Sequence, residues 1–192
     1  MHKAIYITLL LIVVISYAIS CLFFDVSNIS SILTTFTSII GAYAIWWQLK
    51  KEKDLKEAEF IMTYNTAFIS NPELTQIEKE LEAYRKTKVF KFDESKRQSI
   101  INYLVYHEAL AALVFRGTLR IKNIDNLFMY RFFLVVNNPV IQKEELCPDA
   151  MYYVGCFKLY KIWSEYRRKN GLKILMQETA LDKTAEFNLY AK

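Results

Sequence analysis

Two consecutive stretches, AIYITLLLIVVISYAISCLFF at residues 4–24 and SSILTTFTSIIGAYAIWWQL at residues 30–49, decide how the rest of the chain is read. Asp25 is the only charged residue between Lys3 and Lys50. A core helix of a globular domain keeps a solvated, charged face, whereas crossing the hydrocarbon of a bilayer takes about 20 apolar residues. The pattern predicts a transmembrane hairpin over residues 1–49, with spans at about 4–24 and 30–49. The second span is the more polar one. Its hydroxyls can bond back to their own helix backbone, which keeps insertion open to it. Thr34, Ser38 and Ala42 recur at four-residue spacing, and Thr37 and Gly41 make a second such pair. Small residues in this register let helix backbones approach closely in lipid. They suit packing against the first span, with a seam between copies of the chain or a pore lining as the alternative.

Orientation follows from the flanks. Lys50, Lys51, Lys53 and Lys56 follow the second span, Lys3 precedes the first, and the Asp25–Ile29 connection has no basic residue. Basic flanks stay inside, so both termini are expected in the cytoplasm, with Trp46, Trp47, Lys50 and Lys51 at the membrane interface. A second reading starts from Ala18-Ile19-Ser20-Cys21, which loosely matches a lipoprotein signal with Cys21 as the lipidated residue. Under either reading the rest of the chain lies inside.

Whole-chain averages of 53% hydrophobic and 23% charged residues conceal a partition. Residues 50–192 hold 24 of the 25 basic and 19 of the 20 acidic residues, a net charge of +5. Acids and bases are mixed along most of this length, unlike the basic stripe of a nucleic-acid binder, so no nucleic acid is expected as a partner. Cys21, Cys147 and Cys156 cannot make a disulfide framework, and two histidines leave little for a zinc site.

Helical punctuation runs through the remainder. Residues 50–70 continue the second span as a juxtamembrane stalk helix, with Phe60, Ile61, Tyr64 and Phe68 as an apolar stripe. Residues 71–171 read as a helical cytoplasmic domain. Asn71-Pro72 starts a helix to about Lys86, and Asp93 opens a longer one to Arg116 with Gly117 just past its end. Asp125 caps Asn126 to Val136, stopped by Asn137-Asn138-Pro139, and Pro148 begins the last long helix, to about Lys169. Only Lys88–Phe92 looks at all like a strand. Residues 172–192 are expected as a short helix or a loose tail. The fold class is therefore all-α: a two-helix transmembrane hairpin followed by a cytoplasmic helical bundle.

No motif announces a reaction. Glycine-rich phosphate loops, His-Glu-x-x-His, Cys-x-x-Cys and Gly-x-Ser-x-Gly are all missing from the sequence, so no catalytic residue, cofactor or metal ligand is assigned. The candidate ligand-binding residues are His107 and Glu108, in the middle of the Asp93 helix, with Arg116, Arg120 and Arg131. In the simpler reading His107 or Glu108 is a satisfied polar group paired with one of these arginines. In the sharper one Arg116, Arg120 and Lys122 around Gly117, with Arg131, hold a phosphate-bearing small ligand. Tyr166-Arg167-Arg168-Lys169 reads as a solvated helix end.

The stretch INYLVYHEALAALVFRGTLRIKNIDNLFMYRFFLVVNNPVIQKEEL (Ile101–Leu146) resembles the signature region of small bacterial membrane proteins of unknown function. In these a short hydrophobic N-terminus precedes a helical cytoplasmic domain. The resemblance rests on Tyr106-His107-Glu108, Arg116-Gly117, Ile124-Asp125, Arg131 and the Asn-Pro stop, about a quarter of the chain. It implies a bacterial inner-membrane location. Some two-span proteins of this build act in anti-phage defence, where a cytoplasmic sensor triggers membrane damage. The expectation is a membrane-anchored interaction or sensing module, working as a homo-oligomer or with a protein partner. Its rivals are a membrane-tethered enzyme built on a Glu/His/Arg site and a passive anchor for a partner enzyme.

Overall fold

The computed structural model describes residue 15 and residues 26–90 and 92–192. The described residues are mostly helical, with no strand among them. They fall into two units divided after Leu55, each compact in itself.

Helix α1 (Val26–Ile69) contributes to both. The expected continuity of the second span with its stalk is found, while the turn expected over Asp25–Ile29 is helical from Val26. Most of the first expected span lies outside the described residues. Among the described residues no helix is long and apolar enough to cross a membrane, so the transmembrane hairpin finds no support there. Six serines and threonines within residues 30–38 are the physical reason the second span is a weak one. Four of those hydroxyls donate to the carbonyl one turn back: Thr34 to Ser30, Thr35 to Ser31, Thr37 to Leu33 and Ser38 to Thr34, at 2.8–2.9 Å.

The second unit, Lys56–Lys192, begins with the last turns of α1 and continues through α2 (Pro72–Thr87), α3 (Glu94–Phe115), α4 (Ile121–Val136), the short α5 (Pro139–Ile141), α6 (Val154–Lys169) and the short α7 (Phe187–Tyr190). The caps read from sequence are in place. The Asn71 side chain accepts from Glu73 N and Leu74 N, and that of Asp93 accepts from Lys96 N. Gly117 takes φ +71°, a left-handed conformation that ends α3 without a Cβ clash.

Three boundaries differ. α4 starts at Ile121, so Asp125 lies inside its first turns and is buried instead of capping. Pro148 does not open α6. A π-turn (Gln142–Leu146) and a 3-10 turn (Ala150–Tyr152) come first, and α6 begins at Val154. Lys88 ends α2 in a left-handed conformation, φ 58°, and no strand forms after it.

α3 lies at the centre and packs most extensively on α6, then on α2. Between α4 and α6 the core is aromatic. Phe132 stacks on Trp163 with centroids 5.1 Å apart, and Phe133 meets Tyr160 edge-on at 5.4 Å. All four rings are fully buried, and truncating any one to Ala would cost about 3–5 kcal/mol. The C-terminal stretch is no loose tail. Asn137 Nδ2 donates to Leu175 O at 2.7 Å, its Oδ1 accepts from Leu181 N at 2.9 Å, and Gln142 Nε2 donates to Thr179 O at 2.9 Å. Ile174, Met176, Ala180 and Leu181 then join the core.

Candidate functional site

His107 and Glu108 are consecutive on α3, so their side chains leave the helix about 100° apart. His107 points inward and is fully buried. Tyr103, Tyr106 and Phe132 surround it, ring centroids 5.2–5.5 Å away, and neither ring nitrogen has a hydrogen-bond partner. Burial, then the charge of Arg131, lowers its pKa to about 3. A neutral imidazole with no route to solvent cannot exchange protons with a substrate.

Glu108 turns to the flank and meets the start of α6. Its Oε2 accepts from Gly155 N at 3.0 Å and its Oε1 from Cys156 N at 2.5 Å. Tyr153, at the N-cap of α6, makes no side-chain capping bond, so Glu108 satisfies donors that α6 otherwise leaves open and places negative charge at its positive end. Position 155 must be glycine for this approach, since a Cβ there would lie 2.4 Å from Glu108 Oε2. Burial raises the Glu108 carboxyl above the usual range, and the bonds from Cys156 and Gly155 offset that only in part.

The three arginines go to three different places. Arg131 Nε donates to Glu78 at 3.1 Å and Nη1 to Asn65 at 2.6 Å, with its guanidinium 4.3 Å from the Phe68 ring. Arg120 is claimed by Glu57 of α1. Its backbone N donates to Oε1 and its Nε to Oε2, both at 2.8 Å, and Nη2 adds a bond at 2.5 Å. Burial pushes the Glu57 carboxyl up, but the Arg120 bonds outweigh it and leave it below the usual range. Arg116 is exposed at the end of α3. None of them pairs with Glu108, and apart from the field of Arg131 on His107 the five candidates are not brought together. Trp46, Trp47, Lys50 and Lys51 are exposed on α1, with Lys50 Nζ 5.3 Å above the Trp46 ring. No group of His, Cys, Asp or Glu among the described residues could hold a metal ion.

Other charged residues, none of them a site candidate in the sequence, prove central to the packing. Asp125 and Arg167 form a buried ion pair, Nη1 lying 2.7 and 2.6 Å from the two carboxylate oxygens, and Trp163 Nε1 donates to Asp125 at 2.7 Å. The solvated end expected at Arg167 is thus corrected. Glu145, also buried, accepts from Arg97 Nε at 3.0 Å and from Tyr153 OH at 2.8 Å. A signal for three of these residues was present. Glu57 is in phase with Ile61, Tyr64 and Phe68, Asp125 with Phe128 and Phe132, and Arg167 with Tyr160 and Trp163. A charge in register with an apolar stripe is carried into the core with it.

Chemically, this arrangement ties helices together: α1 to α4, α3 to α6, α4 to α6, and α2 to α4. Compared with protein families, curated proteins and solved structures, the chain matches none.

Proposed function

We propose that this chain is a non-catalytic interaction module anchored in a bacterial inner membrane. Residues 1–49 associate with the bilayer, both termini are cytoplasmic, and the Lys56–Lys192 unit is a rigid helical body that receives a partner or signal. The observation that carries this reading is the surface of residues 33–49. Leu33, Phe36, Ile39, Tyr43, Ile45, Trp46 and Leu49 each leave more than a third of their area open. So much apolar surface needs lipid or another protein to cover it. The back-bonded hydroxyls of residues 34–38 suit that burial, because in hydrocarbon a hydroxyl without a partner is costly. A second support is that Glu108, Arg120 and Arg131 are engaged within the fold and His107 is sealed in its core, which favours binding over catalysis. The resemblance of residues 101–146 to membrane proteins of two-span build extends the proposal: an oligomeric effector of anti-phage defence whose spans damage the membrane when the helical body is triggered.

The test is flotation with liposomes and membrane-potential measurement in cells, comparing the full chain with one lacking residues 1–49. The reading expects only the full chain to float, and only the full chain to depolarise cells on phage challenge. A full chain that stays in the soluble fraction overturns the anchor. One that floats yet never alters the potential restricts the spans to anchoring.

A further inference from the structure

The turn joining α3 to α4, Phe115-Arg116-Gly117-Thr118-Leu119-Arg120-Ile121-Lys122, has a chemistry of its own. From Ala109 to Ile124 the chain contains no acidic residue, and three bases fall within this turn. Glu57 takes Arg120, while Arg116 and Lys122 are exposed and Phe115 leaves 47% of its surface open. The turn is preformed. Gly117 N donates to Val114 O and Thr118 N to Leu113 O, both at 3.0 Å, and the side chain of Leu119 is buried beneath it.

Its place in the fold gives this chemistry a direction. Glu57 is the second residue of the Lys56–Lys192 unit, and its bonds to Arg120 set the turn at the point where the chain enters that unit. Lys50, the first base after the apolar segment, precedes Lys56 by six residues, a reach of at most about 20 Å along any path. Two exposed cations and an exposed aromatic ring thus belong to the part of the unit that the chain enters, only a few residues along the chain from the flank that the membrane reading puts at the headgroups. Aromatic and basic side chains are the residues that favour this level.

We propose that the Phe115–Lys122 turn is a second membrane contact, with Arg116 and Lys122 on the phosphates of acidic lipids and Phe115 among the headgroups. The proposal rests on the membrane anchoring above. Charge complementarity and chain continuity with the Lys50-Lys51-Lys53 flank select a lipid surface over a soluble acidic partner. Each cation at an acidic surface strengthens association roughly five-fold, and salt weakens it.

The experiment uses the full chain in nanodiscs, either neutral or with about 30% phosphatidylserine, and follows acylation of individual lysines by mass spectrometry. Lys158 and Lys161, exposed on α6, serve as references in the same molecule. Acidic lipid is expected to slow Lys122 labelling about five-fold relative to the references, and about 1 M salt to restore it. Arg116→Glu is expected to remove most of the protection while leaving the melting temperature unchanged. A chain that does not enter the discs defeats the anchoring itself. A chain that enters them with equal Lys122 labelling in both lipids overturns the second contact alone. Equal protection in neutral discs by inorganic phosphate or by polyglutamate also overturns it, in favour of a soluble ligand.

Discussion

At His107 the imidazole sits among three aromatic rings with both nitrogens unbonded, so protonation would leave an uncompensated charge in the core. Its folded pKa, about 3, lies below the unfolded value near 6.5, so its contribution is present above pH 6.5 and is lost as pH falls towards 3. Between pH 7.5 and 5 this residue alone should lower stability by about 2 kcal/mol, measurable by urea unfolding. His107→Phe should flatten that slope and raise stability at neutral pH, because it removes two unpaired polar atoms. At Gly155 the added methyl of Gly155→Ala should cost about 1–3 kcal/mol by displacing Glu108. In a Glu108→Ala background the same change should cost much less, and thermal unfolding of the double-mutant cycle would show it. Asp125→Asn leaves Arg167 buried without its full counter-charge and should cost about 3 kcal/mol or more.

For the helices themselves, local chemistry was enough wherever a cap is made by a neighbour in sequence. Asn71 and Asp93 start their helices and Gly117 ends one as read, because each acts on backbone within three or four residues. The helices whose starts were misplaced are those capped from afar. Glu57 reaches the start of α4 from 63 positions upstream, and Glu108 reaches α6 from 47. Only the folded chain joins those positions, so Asp125 and Pro148 were the local substitutes that the sequence offered. Of the candidate site, Glu108 is a satisfied polar group, but its partners are the backbone of α6 in place of an arginine, and His107 is buried among aromatic rings with both nitrogens unbonded. Glu57→Ala should therefore loosen α4 against α1. The cost is about 1–3 kcal/mol, held down because the Arg120 side chain is 42% exposed, and faster hydrogen exchange over residues 120–124 should report it.

Across the Lys56–Lys192 unit, the C-terminal stretch supplies Ile174, Met176, Ala180, Leu181 and Ala191 to the core. Removing residues 174–192 strips the Asn137 side chain of its partners and Gln142 of one of its two, and takes Phe187 off the Tyr160 ring, so the truncated chain should not melt cooperatively by circular dichroism. The aromatic interior also extends to the Tyr64–Tyr106 pair. The two rings stack at 4.2 Å and each hydroxyl donates to the other residue's carbonyl, at 2.5 and 2.8 Å. Burial holds both phenols, and those of Tyr103, Tyr153 and Tyr160, well above the ordinary tyrosine value near 10. Folded-state stability must then decline as pH rises past 10, since the unfolded chain releases those protons first. Alkali thus turns the protein into its own optical gauge. Absorbance from these five phenolates is withheld while the Lys56–Lys192 unit stays folded, and appears in a single step when it unfolds.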